Sequence, residues 1–180
     1  RAAGRRVEVR GEYRVYECFI DGTFAKARGG CDRLGRGHLG NGAQIMALVH
    51  ARGLPVAIDV VPGDAHESRC VQALFDFMRT SETPPRVIGD KAYNSDPLDE
   101  QLAERGVEMI APHRGNRKPA NVTQDRRPLR RAARRWTVER TISWIQNYRR
   151  LSIRWERSSQ LFSGFPHLSC ALLLLSAVLR

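Results

Sequence analysis

Cysteine is scarce and poorly spaced for metal binding. Cys18, Cys31, Cys70 and Cys170 form no C-x-x-C pair, and none stands at zinc spacing from His38, His50, His66, His113 or His167. Zinc-ribbon and dithiol redox centres are thereby excluded, leaving reduced thiols that are buried or partly exposed. Long apolar runs are also missing. The longest, Leu168 to Leu179, is interrupted by Ser169, Cys170 and Ser176, whereas a membrane span needs about 20 apolar residues; a buried terminal helix is expected instead. The opening residues are polar, and no secretory leader is expected from them. It carries no G-x-x-x-x-G-K-[ST] phosphate loop and no internal repeat. Acidic residues are rare in one place, with only Asp125, Glu139 and Glu156 between residues 111 and 157.

That local poverty of acids shapes the charge of the chain. Its 180 residues are 42% apolar and 27% charged, a globular composition with room for one domain. Lys and Arg number 30 against 19 Asp and Glu, a net charge of +11. Residues 1–110 hold 15 basic and 16 acidic side chains, while residues 111–157 hold 14 basic and 3 acidic. Nearly the whole excess therefore lies in one segment behind a near-neutral body. Such an arm favours a polyanion, because each neutralised phosphate releases a counterion. A basic surface also suits ribosomal and membrane-edge proteins, so charge alone names no function.

The apolar run 16–20 reads as a strand stopping at Asp21-Gly22-Thr23. The glycine-rich segment 24–42 reads as a loop. The runs 43–50 and 54–61 around Arg52-Gly53 read as a hairpin, giving three antiparallel neighbours. Val71, Leu74, Phe75 and Met78 recur at helical spacing and predict a helix over 67–79. A strand at 86–89 ends at Asp90. Asp96-Pro97 and Gly106 bracket a helix over 97–105, with Asp96 as its N-cap. Residues 107–111 form another strand, 112–128 a basic linker, and 130–153, free of Gly and Pro, one long helix. The order predicts an α/β domain with a mixed sheet flanked by helices.

Three carboxylates stand where chemistry can use them. Asp21 and Asp90 each end a strand beside a glycine, and ligands of open α/β sheets gather at strand ends. Glu139 is flanked by Arg134, Arg135 and Arg140 within a helix, where an ion pair with Arg135 is the simpler role. Trp136 and Trp144 join a helical stripe and are expected in the core, with stacking on a splayed base as the alternative. Tyr93, directly after Asp90, is expected to touch a bound strand or to pack over the sheet, and His66 to start a helix or assist near the acids.

The strings Ile20-Asp-Gly-Thr23, Ile88-Gly-Asp-Lys-Ala-Tyr93 and Arg135-Trp-Thr-Val-Glu-Arg-Thr-Ile-Ser-Trp-Ile145, with Tyr148-Arg-Arg-Leu151, resemble the DDE-type bacterial insertion-sequence transposases of the insertion sequence 5 family. Pro62-Gly-Asp-Ala-His-Glu-Ser68 and Ile110-Ala-Pro-His-Arg-Gly-Asn-Arg-Lys118 resemble the same family, and the likeness runs from about residue 16 to 175. It implies a ribonuclease H-like domain over 16–180 behind a polar extension, 1–15. Asp21, Asp90 and Glu139 would be both catalytic and metal-binding, holding two Mg²⁺ ions for which Mn²⁺ can substitute. Of the family's Tyr, Arg, Glu, Lys signature, Arg135 and Glu139 are present, while Ala132 and Gln146 replace the other two; Arg149 or Arg150 would then supply the missing cation. The DNA-contacting set is Lys91, Arg114, Arg117, Lys118, Arg130, Arg131, Arg134, Arg135, Arg149 and Arg150.

The implied activity is metal-dependent cleavage and strand transfer at transposon ends. The implied partners are double-stranded DNA (terminal inverted repeats and target) and a second copy of the chain, in the bacterial cytoplasm at the nucleoid and with no membrane. Family members usually carry an N-terminal helical DNA-binding segment, so the chain is expected to be the second part of a split or frameshifted element, or a truncated copy. A non-catalytic DNA-binding remnant and a ribonuclease H-like junction or repair nuclease remain as alternatives.

Overall fold

A computed structural model describes residues 15–29, 31–37, 39–78, 82–113, 115 and 129–179. Its sheet is built around β1 (Cys18–Ala27), whose opening residues Cys18, Phe19 and Ile20 are fully buried. Such an unbroken apolar run suits a strand covered on both faces. β3 (Gly40–His50) lies antiparallel to β1, with Phe19 opposite Val49 and Asp21 opposite Ala47. β2 (Gly35–Gly37) and β4 (Pro55–Pro62) each pair antiparallel with β3. On its other edge β1 pairs in parallel with β5 (Arg86–Ile88), and β5 with β6 (Glu108–Ile110). β7 (Ile153–Arg154) pairs in parallel with Lys26 and Ala27 at the far end of β1.

Alternation along the strands divides the core. Cys18, Ile20, Met46, Leu48 and Val87 pack under α1 (Glu67–Asp76) and α2 (Asp96–Ala103), through Val71, Leu74, Leu98 and Leu102. Phe19, Ala47, Val49 and Ile88 face the other way, onto Val138 and Ile142 of α3 (Trp136–Gln146). Farther along that second face, Ala25, Ala43, Ile45 and Ile58 meet Ile145, Leu151 and Phe162, from α3, α4 (Arg149–Ser152) and α5 (Ser159–Val178). Odd residues of β1 thus look at α3, and even residues at α1.

The mixed sheet, the hairpin and the amphipathic stripe of α1 follow the sequence pattern. Several boundaries do not. β1 runs on through Asp21 to Ala27, and the glycine-rich segment contains β2 and the start of β3. Ser95, not Asp96, is the N-cap of α2, and α1 stops at Asp76.

The long helix over 130–153 is broken into a 3-10 segment (Arg130–Arg135), α3 and α4. Tyr148 adopts extended backbone, ψ 110°, and the Ser152 hydroxyl donates to the carbonyl of Gln146, which the helix end leaves unmatched. The break swings Arg154 beneath the end of β1. There its fully buried guanidinium donates to Asp32 and to the carbonyls of Glu156 and Arg157. Tertiary pairing overrides a helical pattern that contains no breaker.

The terminal helix corrects a second expectation. α5 is long and apolar enough to cross a membrane by length and composition, and only 22% of that window is buried. Phe162, Pro166, Ser169 and Cys170 form its inner face, while Leu161, Leu168, Leu172 and Leu175 are exposed. A helix apolar all round does not declare which stripe faces the core.

Candidate active site

The strand register brings the first two acids together. Phe19 of β1 pairs with Ile88 of β5 in a parallel ladder, and Asp21 and Asp90 each lie two residues farther on. A two-residue advance keeps each side chain on the face of its predecessor, here the face that α3 covers. Asp90 lies two residues past the end of β5 as the N-cap of a 3-10 turn, Lys91–Tyr93, and its Oδ1 accepts from the backbone N–H of Ala92 at 2.7 Å.

Glu139 arrives from α3, one position after Val138, which anchors that helix on Phe19 and Ile88. Arg135, one turn earlier, donates from Nη2 to Asp21 Oδ2 at 3.5 Å and to Glu139 Oε1 at 3.4 Å. It is therefore more than an intrahelical partner of Glu139, because it ties the helix to β1. Gln146, two turns past Glu139, donates to the Thr23 hydroxyl at 2.5 Å, so the residue in the place of the family's lysine closes the same seam without charge. Burial chiefly raises the Asp21 carboxyl above its ordinary value. The Gly22 N–H and Arg135 pull it down, and the nearby charges of Asp90 and Glu139 push it up again.

A fourth carboxylate, not singled out from the sequence, stands near Asp21 and Asp90. Glu67 opens α1 and accepts from the Gln44 amide. Its carboxyl is raised by burial and then by Asp90 and Asp21, while the Tyr93 hydroxyl acts in the opposite direction. The signal for it lies in Pro62-Gly-Asp-Ala-His-Glu-Ser68, which carries Glu67 next to His66. His66 is exposed, is the N-cap of α1 and shares a hydrogen bond with the Ser68 hydroxyl at 2.8 Å. Tyr93 is fully buried, as its packing role requires. Gly22 makes room for this arrangement, since a Cβ there would stand 2.8 Å from Gln44 Nε2.

The predicted DNA contacts divide into groups. Arg130 and Arg149 are exposed, as is Lys91 beside Asp90. Arg131 and Arg134 reach back to Glu17, itself buried, at 2.7 and 3.1 Å. Arg150 pairs with Glu156, and Arg149, Arg150 and Trp155 line a 530 Å³ cleft. Arg114, Arg117 and Lys118 lie outside the described residues. Trp136 and Trp144 are not in the core, being 54% and 42% exposed. The four cysteines are unpaired, with Cys18 and Cys170 buried.

Residues 16–174 match the family described as Transposase DDE domain, and the chain belongs to that family. It is 32% identical over 131 residues to a putative transposase for insertion sequence element IS6501 of Brucella ovis, covering 72% of this chain and 95% of that one. It is 32% identical over 90 residues to a putative transposase for IS402 of Burkholderia cepacia, covering 49% of this chain and 38% of the relative. The fold is ribonuclease H-like and resembles that of piggyBac transposase, solved as a synaptic complex with hairpin DNA. The TM-score is 0.57 at 11% identity, over 86% of this chain and 45% of the other.

Proposed function

We propose that this chain is the catalytic domain of an insertion-sequence transposase, residues 16–180, which cuts phosphodiester bonds at transposon ends and joins the 3′-OH to target DNA. The observation carrying the reading is the register that sets Asp21 beside Asp90 on the face covered by the helix of Glu139. The placement within the insertion sequence 5 family rests on the sequence strings. As placed, no three His, Cys, Asp or Glu side chains among the described residues are close enough to hold a metal ion, and a guanidinium spans Asp21 and Glu139. The donor chemistry nevertheless fits a hard cation, because all the ligands are carboxylate oxygens whose mutual repulsion a cation relieves. Asp21, Asp90 and Glu139 would hold two Mg²⁺ ions. Bound there, such ions supply activation of a water or 3′-OH and stabilisation of the leaving oxygen.

The chain's own residues do the rest. Asp90, fixed by its turn, presents a carboxylate at the strand end. Arg135 orients Asp21 and Glu139 and would meet a scissile phosphate as negative charge develops. Lys91, Arg130 and Arg149 provide phosphate contacts that position DNA without reading its sequence. The partners are duplex DNA carrying the inverted repeats, the target, and a second copy, because two ends must be joined; the setting is the bacterial cytoplasm.

Asp90→Asn tests the reading well. Asparagine keeps the oxygen that accepts from Ala92, so the turn survives while the charge is lost. Mg²⁺-dependent nicking and strand transfer should disappear with duplex affinity retained. Activity equal to the parent's would remove Asp90 from the site.

A further inference from the structure

Trp136, Arg140 and Trp144 stand one turn apart on α3, spanning about 12 Å. The Arg140 guanidinium lies 4.7 Å from one indole centroid and 4.8 Å from the other. Its Nε is buried without a hydrogen-bond partner among the described residues, and both ring faces lie within cation–π distance of the guanidinium. Beneath it the chain turns at Gly53 (φ +87°), where a Cβ would come within 2.7 Å of Arg140 Nη2. The Thr141 hydroxyl donates to the Gly53 carbonyl at 2.9 Å, pinning helix to turn. Two half-exposed indoles thus flank one cation, on the helix that carries Glu139.

From this we propose that Trp136–Arg140–Trp144 is a stacking platform for unpaired bases of DNA beside the cleavage site. A contiguous exposed aromatic patch marks an interaction site where scattered apolar residues do not, and the segment carrying these rings holds nearly all the excess positive charge of the chain. That charge favours a polyanion over a like-charged second copy. A duplex offers phosphates outward and keeps its base faces stacked, so an indole finds a base only where the strands have parted. Arg140 adds a cation beside the rings, which suits a strand carrying phosphates. The proposal rests on the reading that α3 lines the cleavage site, because only there would strands be parted.

The test is fluorescence anisotropy in EDTA with a 15-nucleotide single strand and a 15-base-pair duplex of the same sequence. The full chain is compared with the double variant Trp136→Ala/Trp144→Ala and with Trp136→Phe/Trp144→Phe. The alanine pair should lose about tenfold or more in single-strand affinity, with duplex affinity within about twofold, and the phenylalanine pair should keep most of the single-strand binding. Equal losses on both DNAs, or no loss, overturn the platform. So does a variant whose only change is weaker self-association in sedimentation, which would make the rings a protein interface. If the alanine pair does not fold, Trp144→Ala and the phenylalanine pair carry the same comparison. Failure here leaves the Asp90→Asn result intact, and active Asp90→Asn protein would sink the catalytic reading without touching single-strand binding.

Discussion

Glycines flank two of the acids for different reasons. Gly22 leaves space for the flexible end of Gln44, whereas Gly89 lies against the buried Tyr93 ring, where a Cβ would meet Cδ2 at 2.6 Å and Met109 Cε at 2.7 Å. Packed rings yield poorly, so Gly89→Ala should lower unfolding free energy by about 1–3 kcal/mol in urea titration. Asp21 carries the converse lesson. Its folded carboxyl titrates above the ordinary 3.8, so the native state holds that proton more tightly than the unfolded chain does. Its stabilising contribution is present below pH 3.8 and lost as pH rises through the folded value. In EDTA at pH 7, Asp21→Asn should therefore melt higher than the parent, with the gap closing towards pH 3, and in Mg²⁺ the same variant should lose activity. A lower melting temperature at pH 7 would contradict this account of the site. The adjacency of Glu67 was not legible, because it depends on α1 crossing one particular end of the sheet.

At the scale of elements, the helix following the basic linker shows how sequence pattern and tertiary demand divide. The stripe of Val138, Ile142 and Ile145 was readable and does face the sheet, but the break at Tyr148 was not. Nothing in residues 147–149 is a breaker; the pairing of β7 with the end of β1 and the buried partners of Arg154 enforce it. Arg131 and Arg134, expected on phosphate, fasten the 3-10 segment to Glu17. Because these arginines are partly exposed, at 42% and 54% of their side chains, Glu17→Ala should cost about 1 kcal/mol rather than the roughly 3–5 of a fully buried pair. It should also raise duplex affinity by releasing two guanidinium groups. Unchanged affinity with unchanged stability would show that the pair does neither.

For the whole molecule, charge asymmetry governs association. The logarithm of duplex affinity should fall linearly with the logarithm of salt concentration, by about 0.9 for each phosphate neutralised. In Glu17→Ala the slope should steepen by about one to two contacts' worth, and a salt-independent affinity would remove the proposed phosphate contacts altogether.

Several features were determined by the sequence alone: the α/β class, the acids at Asp21, Asp90 and Glu139, and the basic segment. Each is written in local order, as alternation, turn residues or a run of charge. Which acids are neighbours, which stripe of α5 is left bare and whether the tryptophans are core or surface were decided only by the tertiary structure. Those outcomes depend on strand register and on helices competing for one sheet face, and neither is encoded in any single stretch of chain.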